Sequence, residues 1–398
     1  MRLPAILGGE PAFAEPLPIM RPTLPAFEEL APEFEAILAS GMLSNVNRYV
    51  AGFEEAAADY LGVEYTIAVS SCTSGLILAM QALELEGEIV LPSFTFSATG
   101  HAVLWNGLEP VFADCNRATH QLDPEKAEAQ ISERTSALLG VHMFGSPCDV
   151  ERLEALAAKH GLAMIFDAAH GFGAKWKGSP VGAGGDVEVF SLSPTKVLVS
   201  AEGGMVATND AELARKIRIG RDYGNPGNYN CEFAGLNARM SELHAALGLR
   251  SLAMLDENVA ARNRLVERYK QNLATVGGMK YQEHLPEVVS TFKDFSLIIE
   301  EEALGIGRDE FAKALAAENI GSRPYFDPPL HRQDAYKTYF ADADPRLPET
   351  NYVALHALSI PLFSHMSDEE VDRVCDAIVS ILSRPAESAK AAAGAVAS

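Results

Sequence analysis

Strand-like and helical segments alternate along residues 65–208, with short connections between them. The strand-like runs are 65–70, 88–91, 110–113, 137–142, 163–167, 187–192 and 205–208. Helical periodicity lies between them at 73–85, 97–107 and 150–160. This alternation predicts an α/β fold with a mostly parallel central sheet covered by helices on both faces. Because such sheets bind ligands at the carboxyl ends of their strands, the residues that follow these strands are the candidates for a site.

The whole chain divides into four predicted parts. Residues 1–40 are proline-rich at first and form an extended arm and a short helix. Residues 41–255 form the large α/β domain, which a long helix at 239–276 closes. Residues 256–382 form a smaller α+β C-terminal domain, with a strand-like run at 294–299 and helices at 309–318 and 367–382. Residues 383–398 lack bulky apolar side chains apart from one valine, so we expect a flexible tail.

Composition and charge exclude several classes of partner. The formal net charge is −22, from 32 basic and 54 acidic residues, which argues against binding to nucleic acid or to an anionic membrane. No apolar run reaches the roughly 18 residues of a membrane span, and the first nine residues do not resemble a signal peptide. The five cysteines form no CxxC pair, which is typical of a reducing compartment. We therefore expect a cytoplasmic protein.

Lys196 follows the strand-like run 187–192 and lies among small and apolar residues. A lysine enclosed by apolar neighbours loses hydration, and this lowers its pKa toward the neutral amine. A neutral amine forms a Schiff base with an aldehyde. An isolated lysine on a turn is more often a surface residue, so this interpretation depends on the other clusters.

A second cluster leads from the first strand into a helix through small residues, as Val69-Ser-Ser-Cys-Thr-Ser-Gly-Leu76. Small side chains expose the backbone N–H groups of the first helical turn, where the helix dipole favours an anion. Ser71 and Thr73 add hydroxyl donors, so the segment could bind a phosphate. Ordinary capping of the helix by Ser or Thr explains the same residues. Cys72 could also be a nucleophile, although the sequence assigns it no base.

Two further clusters follow the second and fifth strand-like runs. Phe96 could lie flat against a planar ring, although core packing explains a single Phe equally well. Asp167 ends an apolar strand, so its carboxylate is half-buried and needs a partner. That partner could be a protonated pyridine nitrogen or the N-terminus of a helix. His170 could donate a hydrogen bond near the same ring or have a structural role.

An amine, an anion site, a flat apolar cover and a half-buried aspartate together describe a pocket for pyridoxal 5′-phosphate (PLP). Further motifs occur in order along the chain: Phe53-Glu54, Ser71-x-Thr73, Thr95-Phe96, Asp167-Ala-Ala-His170, Phe190-Ser191, Thr195-Lys196, Glu202-Gly-Gly204 and Gly235-x-Asn237-x-Arg239-Met240. With these motifs, residues 10–382 resemble the DegT/DnrJ/EryC1/StrS family of PLP-dependent sugar aminotransferases. The resemblance implies the aspartate-aminotransferase fold, which is fold type I of PLP-dependent transferases.

The resemblance also implies roles for individual residues. Lys196 would be the catalytic lysine that carries the cofactor. The other implied cofactor-binding residues are Asp167 at the pyridine nitrogen, His170 near the phenolic oxygen, Phe96 over the ring, Cys72, Thr73 and Ser191 at the phosphate, and Asn237 from the partner subunit of a homodimer with shared active sites. Ser44, Asn45 and His331 would contact the substrate, and no metal is expected. Cys72 departs from the family, which usually has Gly there, and Gly75 stands where Ala is usual.

The function implied is transfer of an amino group from an amino acid, with glutamate the expected donor, to a nucleotide-linked keto-deoxysugar. Leu43-Ser44-Asn45 resembles a Leu-Thr-Asn loop of relatives that aminate C4 of a dTDP-4-keto-6-deoxyhexose. Aminotransferases for a 3-keto-sugar or for a keto-cyclitol are the enzymatic alternatives. A non-catalytic regulatory member of the fold is the alternative of another class, and the complete set of Lys196, Asp167 and phosphate-binding residues counts against it.

Overall fold

The computed structural model describes residues 2–339 and 344–394. The β-strands are, in chain order, β1 (Tyr65–Val69), β2 (Glu88–Pro92), β3 (Glu109–Ala113), β4 (Thr135–Val141), β5 (Ala163–Asp167), β6 (Lys175–Trp176), β7 (Ser179–Pro180), β8 (Val187–Ser191), β9 (Gly204–Thr208), β10 (Lys280–Tyr281), β11 (Val288–Val289), β12 (Phe295–Ile298) and β13 (Ala357–Ile360). The α-helices are α1 (Phe27–Ser40), α2 (Arg48–Leu61), α3 (Cys72–Ala82), α4 (Ser97–Trp105), α5 (Pro124–Glu128), α6 (Val150–His160), α7 (Ala211–Gly220), α8 (Glu242–Ala253), α9 (Leu255–Leu273), α10 (Glu301–Leu304), α11 (Arg308–Ala317), α12 (Pro348–His356), α13 (Asp368–Leu382) and α14 (Pro385–Gly394).

The central sheet has seven strands in the order β1-β9-β8-β5-β4-β2-β3. The pairs from β8 to β3 are parallel, whereas β9 is antiparallel to both β1 and β8. Six strands therefore run in one direction and β9 runs in the other. These strands are buried almost throughout, as expected for a sheet covered on both faces. The predicted α/β fold with a mostly parallel sheet is confirmed.

The strand directions determine which residues share an edge of the sheet. The carboxyl ends of β1, β2, β5 and β8 lie at one edge, and the amino end of β9 lies there too, because Gly204 pairs with both Val69 and Ser191. The residues that follow β1, β2, β5 and β8 include every cluster that the sequence singled out between residues 69 and 196. Parallel β-strands thus bring together segments that lie far apart in the chain.

The C-terminal part packs around a second, three-stranded sheet in the order β10-β12-β13. Its core includes Phe311 and Ile378, and it also includes Phe13 and Leu17 from the N-terminal arm. The arm is fixed by backbone hydrogen bonds, one of which runs from the Leu17 N–H to the Asn319 carbonyl at 2.8 Å. The predicted arm therefore packs on the C-terminal part. The domain boundaries at residues 40, 255 and 382 stay a prediction.

Two expectations about helices were wrong. The predicted helix at 239–276 is two helices, α8 and α9, separated at Met254, and α8 begins only after Ser241, whose side chain caps it by accepting from the His244 N–H. The expected flexible tail instead contains α14, in which Ala392 is fully buried. Alanine favours the helix and its small side chain allows close packing, so no bulky apolar residue is needed. No helix in residues 2–339 and 344–394 has the length and apolar character of a membrane span.

Candidate active site

A cavity of about 360 Å³ lies at the carboxyl edge of the central sheet. It is lined by Ser71, Cys72, Thr73, Phe96, Ala98, Asp167, Ala169, His170, Ser191, Ser193, Thr195, Lys196, Glu202, Gly203, Lys293, Asp294, Tyr325 and Phe326. Seven residues predicted to bind the cofactor are therefore brought together in one chain: Cys72, Thr73, Phe96, Asp167, His170, Ser191 and Lys196. A larger cavity, about 720 Å³, lies elsewhere around Arg117 and Lys280 and contains none of the predicted residues.

Lys196 lies on the turn that follows β8, where its backbone N–H donates to the Ser193 carbonyl at 3.0 Å. The residue is half-buried and lines the cavity. Burial, together with the positive charge of Lys293, lowers the pKa of the Lys196 amine from its ordinary 10.5 to about 8. The lowered pKa that the sequence predicts is confirmed. A substantial fraction of this amine is neutral near pH 8 and can act as a nucleophile or a base.

Asp167 ends β5 and is 4% exposed. Its Oδ2 accepts a 2.7 Å hydrogen bond from the Thr99 hydroxyl, and its Oδ1 accepts a 3.0 Å bond from the Ala169 N–H. Burial raises the pKa of Asp167, although these two bonds and the charge of Lys196 oppose the rise. No helix begins at this residue, so Asp167 does not cap a helix, which was the alternative role that the sequence left open. The buried carboxylate faces a cavity that could hold a cation.

The N-terminus of α3 forms the wall next to Asp167. Ser71 caps α3, since its hydroxyl accepts from the Ser74 N–H at 3.1 Å, so the capping interpretation of Ser71 is confirmed. Cys72 and Thr73 occupy the first turn and line the cavity, where the helix dipole favours an anion. Burial and the nearby Asp167 raise the pKa of the Cys72 thiol well above its usual range. Cys72 therefore stays protonated, which counts against a nucleophilic role.

Gly204 allows β9 to approach this helix start closely. A Cβ atom at Gly204 would lie 2.6 Å from the carbonyl carbon of Ser71 and 2.7 Å from the backbone nitrogen of Cys72, distances that atoms in a folded protein do not tolerate. Gly75 is similarly restricted, because a Cβ there would lie 2.7 Å from a methyl group of Val189. The absence of a side chain at Gly75 thus lets α3 pack tightly on β8.

His170 and Phe96 line other parts of the cavity. Burial and the charges of Lys196 and Lys293 hold the pKa of His170 well below its usual value, so its ring is neutral. Its Nδ1 is buried and has no hydrogen-bond partner among the described residues. Phe96 is 59% exposed, and its ring centroid lies 6.3 Å from that of Phe326. The cavity thus offers an orphaned polar atom and an exposed aromatic face.

These features fit PLP, the cofactor implied by the resemblance. Lys196 offers an amine of lowered pKa for an aldehyde, and Asp167 offers a buried carboxylate for a protonated ring nitrogen. The unpartnered Nδ1 of His170 could bond to a polar ring substituent. The first turn of α3, kept open by Gly204, suits a phosphate.

Two predicted residues lie together outside this cavity. Arg239 donates through Nη1 to Asn45 Oδ1 at 2.8 Å and through Nη2 to Asn237 Oδ1 at 3.2 Å, and it also pairs with Asp222 at 2.7 Å. Asn45 and Asn237 are exposed. Ser44, on the same loop as Asn45, is half-buried and does not line the cavity either.

His331 also does not line the cavity. It is 4% exposed, its Nδ1 shares a 2.7 Å hydrogen bond with the Ser93 hydroxyl, and its backbone N–H donates to the same oxygen at 3.0 Å. The predicted contact of His331 with a sugar is therefore not supported by its position in one chain. Its role in substrate binding stays a prediction.

The ion pair of Lys293 and Asp294 in the cavity wall was not predicted from the sequence. Both residues are 6% exposed, and Lys293 Nζ lies 2.8 Å from Asp294 Oδ2. The signal was present as two adjacent opposite charges between Phe292 and Phe295 in an otherwise apolar run.

Comparison with known proteins gives consistent results. Residues 26–379 match the model of the DegT/DnrJ/EryC1/StrS aminotransferase family. The dTDP-4-amino-4,6-dideoxy-D-glucose transaminase of Escherichia coli is 31% identical over 361 residues, which cover 90% of this chain and 96% of that protein. The UDP-N-acetyl-3-dehydro-alpha-D-glucosamine 3-aminotransferase of Acidithiobacillus ferrooxidans is 35% identical over 347 residues, which cover 85% of this chain and 89% of that protein.

Among solved structures, DesI in the presence of its TDP-sugar product matches with a TM-score of 0.90 and 37% identity, covering 96% of this chain and 97% of DesI. The match extends over the sheet, the cavity and the C-terminal part. The chain therefore belongs to the DegT/DnrJ/EryC1/StrS family and is an aminotransferase that uses PLP.

Proposed function

We propose that this enzyme transfers an amino group from an amino acid, glutamate being the expected donor, to C4 of a dTDP-linked 4-keto-6-deoxyhexose. The observation that carries the proposal is the meeting of Lys196, Asp167 and the α3 N-terminus in one cavity. The assignment of C4 as the aminated carbon is supported by the Leu43-Ser44-Asn45 loop and by the name of the Escherichia coli relative. The name of the Acidithiobacillus relative supports the alternative, a 3-keto-sugar, and a keto-cyclitol is a further alternative.

The chemistry divides between the cofactor and the chain. PLP supplies the electron sink that allows the donor Cα–H bond to break. Lys196 Nζ, with its lowered pKa, would take the proton from the donor Cα and deliver it to the former aldehyde carbon of the cofactor. Thr99 and the Ala169 N–H fix the orientation of Asp167, which would hold the ring nitrogen protonated. A non-catalytic regulatory protein would not need both Lys196 and an oriented Asp167.

We also propose that two copies of the chain share each active site. Asn45 and Asn237 are exposed and are joined by Arg239 outside the cavity of their own chain. A two-fold homodimer would let this cluster reach the cavity of the partner, with Asn237 toward the phosphate and the loop of Ser44 and Asn45 toward the sugar.

Mixing two inactive variants tests the shared site. Lys196→Ala retains Asn237, whereas Asn237→Asp retains Lys196 and places a carboxylate against a phosphate. In a heterodimer one cavity would contain both wild-type residues, so co-refolded mixtures should regain activity that neither parent has. Full activity of Asn237→Asp alone, or no recovery although heterodimers form, contradicts the shared site.

The substrate is tested by steady-state assays with glutamate and a panel of nucleotide keto-sugars. We expect the highest kcat/KM with a dTDP-4-keto-6-deoxyhexose, and an amino group at C4 of the product by NMR. A higher kcat/KM with a 3-keto-sugar or with a keto-cyclitol would replace this assignment with that alternative.

A further inference from the structure

The ion pair of Lys293 and Asp294 lies in the wall of the catalytic cavity without an established role. The Lys293 ammonium donates to both carboxylate oxygens of Asp294, at 2.8 and 3.1 Å. The backbone of Lys293 is fixed by a 3.0 Å hydrogen bond from its N–H to the Phe144 carbonyl. Its Nζ also lies 5.2 Å from the centre of the Tyr325 ring, which lines the same cavity.

The Lys293 ammonium has capacity for one more partner. An ammonium has three donors, and Asp294 occupies two of them. Within residues 2–339 and 344–394, no third acceptor lies within hydrogen-bond distance of Lys293 Nζ. A buried ammonium with an unused donor beside a cavity can accept an anionic group that enters that cavity.

Few other side chains in the lining of the cavity carry a positive charge that could bind such an anion. Lys196 and Lys293 are the positively charged side chains among the lining residues of one chain. Lys196 is required for the cofactor and for the proton transfer, and His170 is neutral. The proposed reaction nevertheless requires an amino acid, whose α-carboxylate must enter the cavity together with the amino group.

We propose that Lys293 binds the carboxylate of the amino-acid donor. This inference rests on the proposed function only in that the donor is an amino acid. Asp294 is the internal partner of Lys293 and competes with the donor carboxylate for it. When a keto-sugar without a carboxylate occupies the cavity, the pair with Asp294 keeps Lys293 from being a buried, unpaired charge. One pocket can thereby accept a charged donor and an acceptor that lacks a carboxylate in turn.

Three variants of the holoenzyme distinguish the contribution of the Lys293 charge from that of the Asp294 charge. Lys293→Met combined with Asp294→Asn removes both charges, since Lys293→Met alone would leave Asp294 buried and unpaired. Lys293→Arg keeps the positive charge. Asp294→Asn keeps Lys293 and removes its competitor. Unfolding temperature and cofactor absorbance verify that each variant is folded and loaded.

The probe is glutarate, a dicarboxylate without an amino group, titrated calorimetrically into each holoenzyme. We expect the Kd to rise about tenfold or more in the double variant, since a hydrogen bond to a charged group is lost. Lys293→Arg should stay within about threefold of wild type, and Asp294→Asn should bind glutarate more tightly. In steady-state assays the KM for glutamate should rise in the double variant while the KM for the keto-sugar stays unchanged.

An unchanged glutamate KM in the double variant overturns the proposal, as does wild-type affinity of that variant for glutarate. Either result would mean that the carboxylate is bound elsewhere, for example by a residue of a second copy of the chain. Glutarate binding and the half-reaction with glutamate need no sugar. A failure of the proposed sugar specificity would therefore leave this test intact.

Discussion

The Thr99 hydroxyl donates a 2.7 Å hydrogen bond to Oδ2 of Asp167, and the Thr95 hydroxyl oxygen lies 2.8 Å from that of Thr99. All three residues are buried. The bond links α4, which follows β2, to the end of β5. The direction of the Asp167 carboxylate therefore depends on a helix from another part of the chain.

Thr99→Val should lower kcat about tenfold while the cofactor stays bound. The loss of a hydrogen bond to a charged group costs about 1.5–3 kcal/mol, and part of that cost should appear in the barrier. Thr99→Ser keeps the donor and is the matched control, which should retain most of the activity. Equal losses in Val and Ser variants would show that packing, not the hydrogen bond, is what matters at this position.

Asp167→Asn should bind the cofactor and lose at least about 10²-fold in kcat, which corresponds to roughly 2.7 kcal/mol of barrier. An amide has no charge with which to keep the ring nitrogen protonated, so the electron sink weakens. The measurement is the single-turnover rate with glutamate, together with the absorbance of the bound cofactor. A near-normal rate would assign Asp167 a purely structural role.

Gly204→Ala should weaken cofactor binding by about fivefold or more. Its Cβ would lie 2.6 Å from the Ser71 carbonyl carbon, so β9 or the start of α3 must move, at a cost of about 1–3 kcal/mol. Gly52→Ala in α2 is the control, because nothing lies within 4 Å of a Cβ there. Equilibrium dialysis of the cofactor tests this, and equal affinity in both variants would contradict the role assigned to Gly204.

In the cofactor-free protein, acylation of Lys196 should rise with pH with a midpoint near pH 8, since only the neutral amine reacts and its pKa is about 8. Lys293→Met combined with Asp294→Asn should move the midpoint upward, because the positive charge of Lys293 lowers this pKa more than the negative charge of Asp294 raises it. Between about pH 8 and 10.5 Lys196 binds more protons in the unfolded chain than in the folded one. The contribution of Lys196 to the free energy of unfolding therefore rises with pH. Peptide mass spectrometry across pH measures the midpoint, and a value near 10.5 would contradict the assigned environment.

Local pattern was enough to predict the central sheet. The strand-like runs at 163–167 and 187–192 correspond to β5 and β8 within one residue, because buried parallel strands are short, apolar and bounded by turns. The placement of Asp167 and Lys196 follows directly, since each comes at or just after a strand end. The direction of the Lys196 pKa shift could be predicted from its apolar neighbours and the other clusters, whereas the contribution of Lys293 could not.

Contacts between distant segments could not be predicted in this way. Lys293 enters the cavity only because the C-terminal part packs on the edge of the sheet, which no local pattern encodes. The ring of His331 is directed to Ser93, a partner 238 residues away. The helix α14 forms by packing its alanines on α11, so composition alone suggested a flexible tail.

Borohydride reduction of the purified holoenzyme tests whether Lys196 carries the cofactor. Reduction should bleach the cofactor absorbance and fix the mass of PLP on the peptide that contains Lys196. Lys196→Ala should yield no such peptide. A label on another lysine, or no label on a protein that is active, would mean that Lys196 does not carry the cofactor.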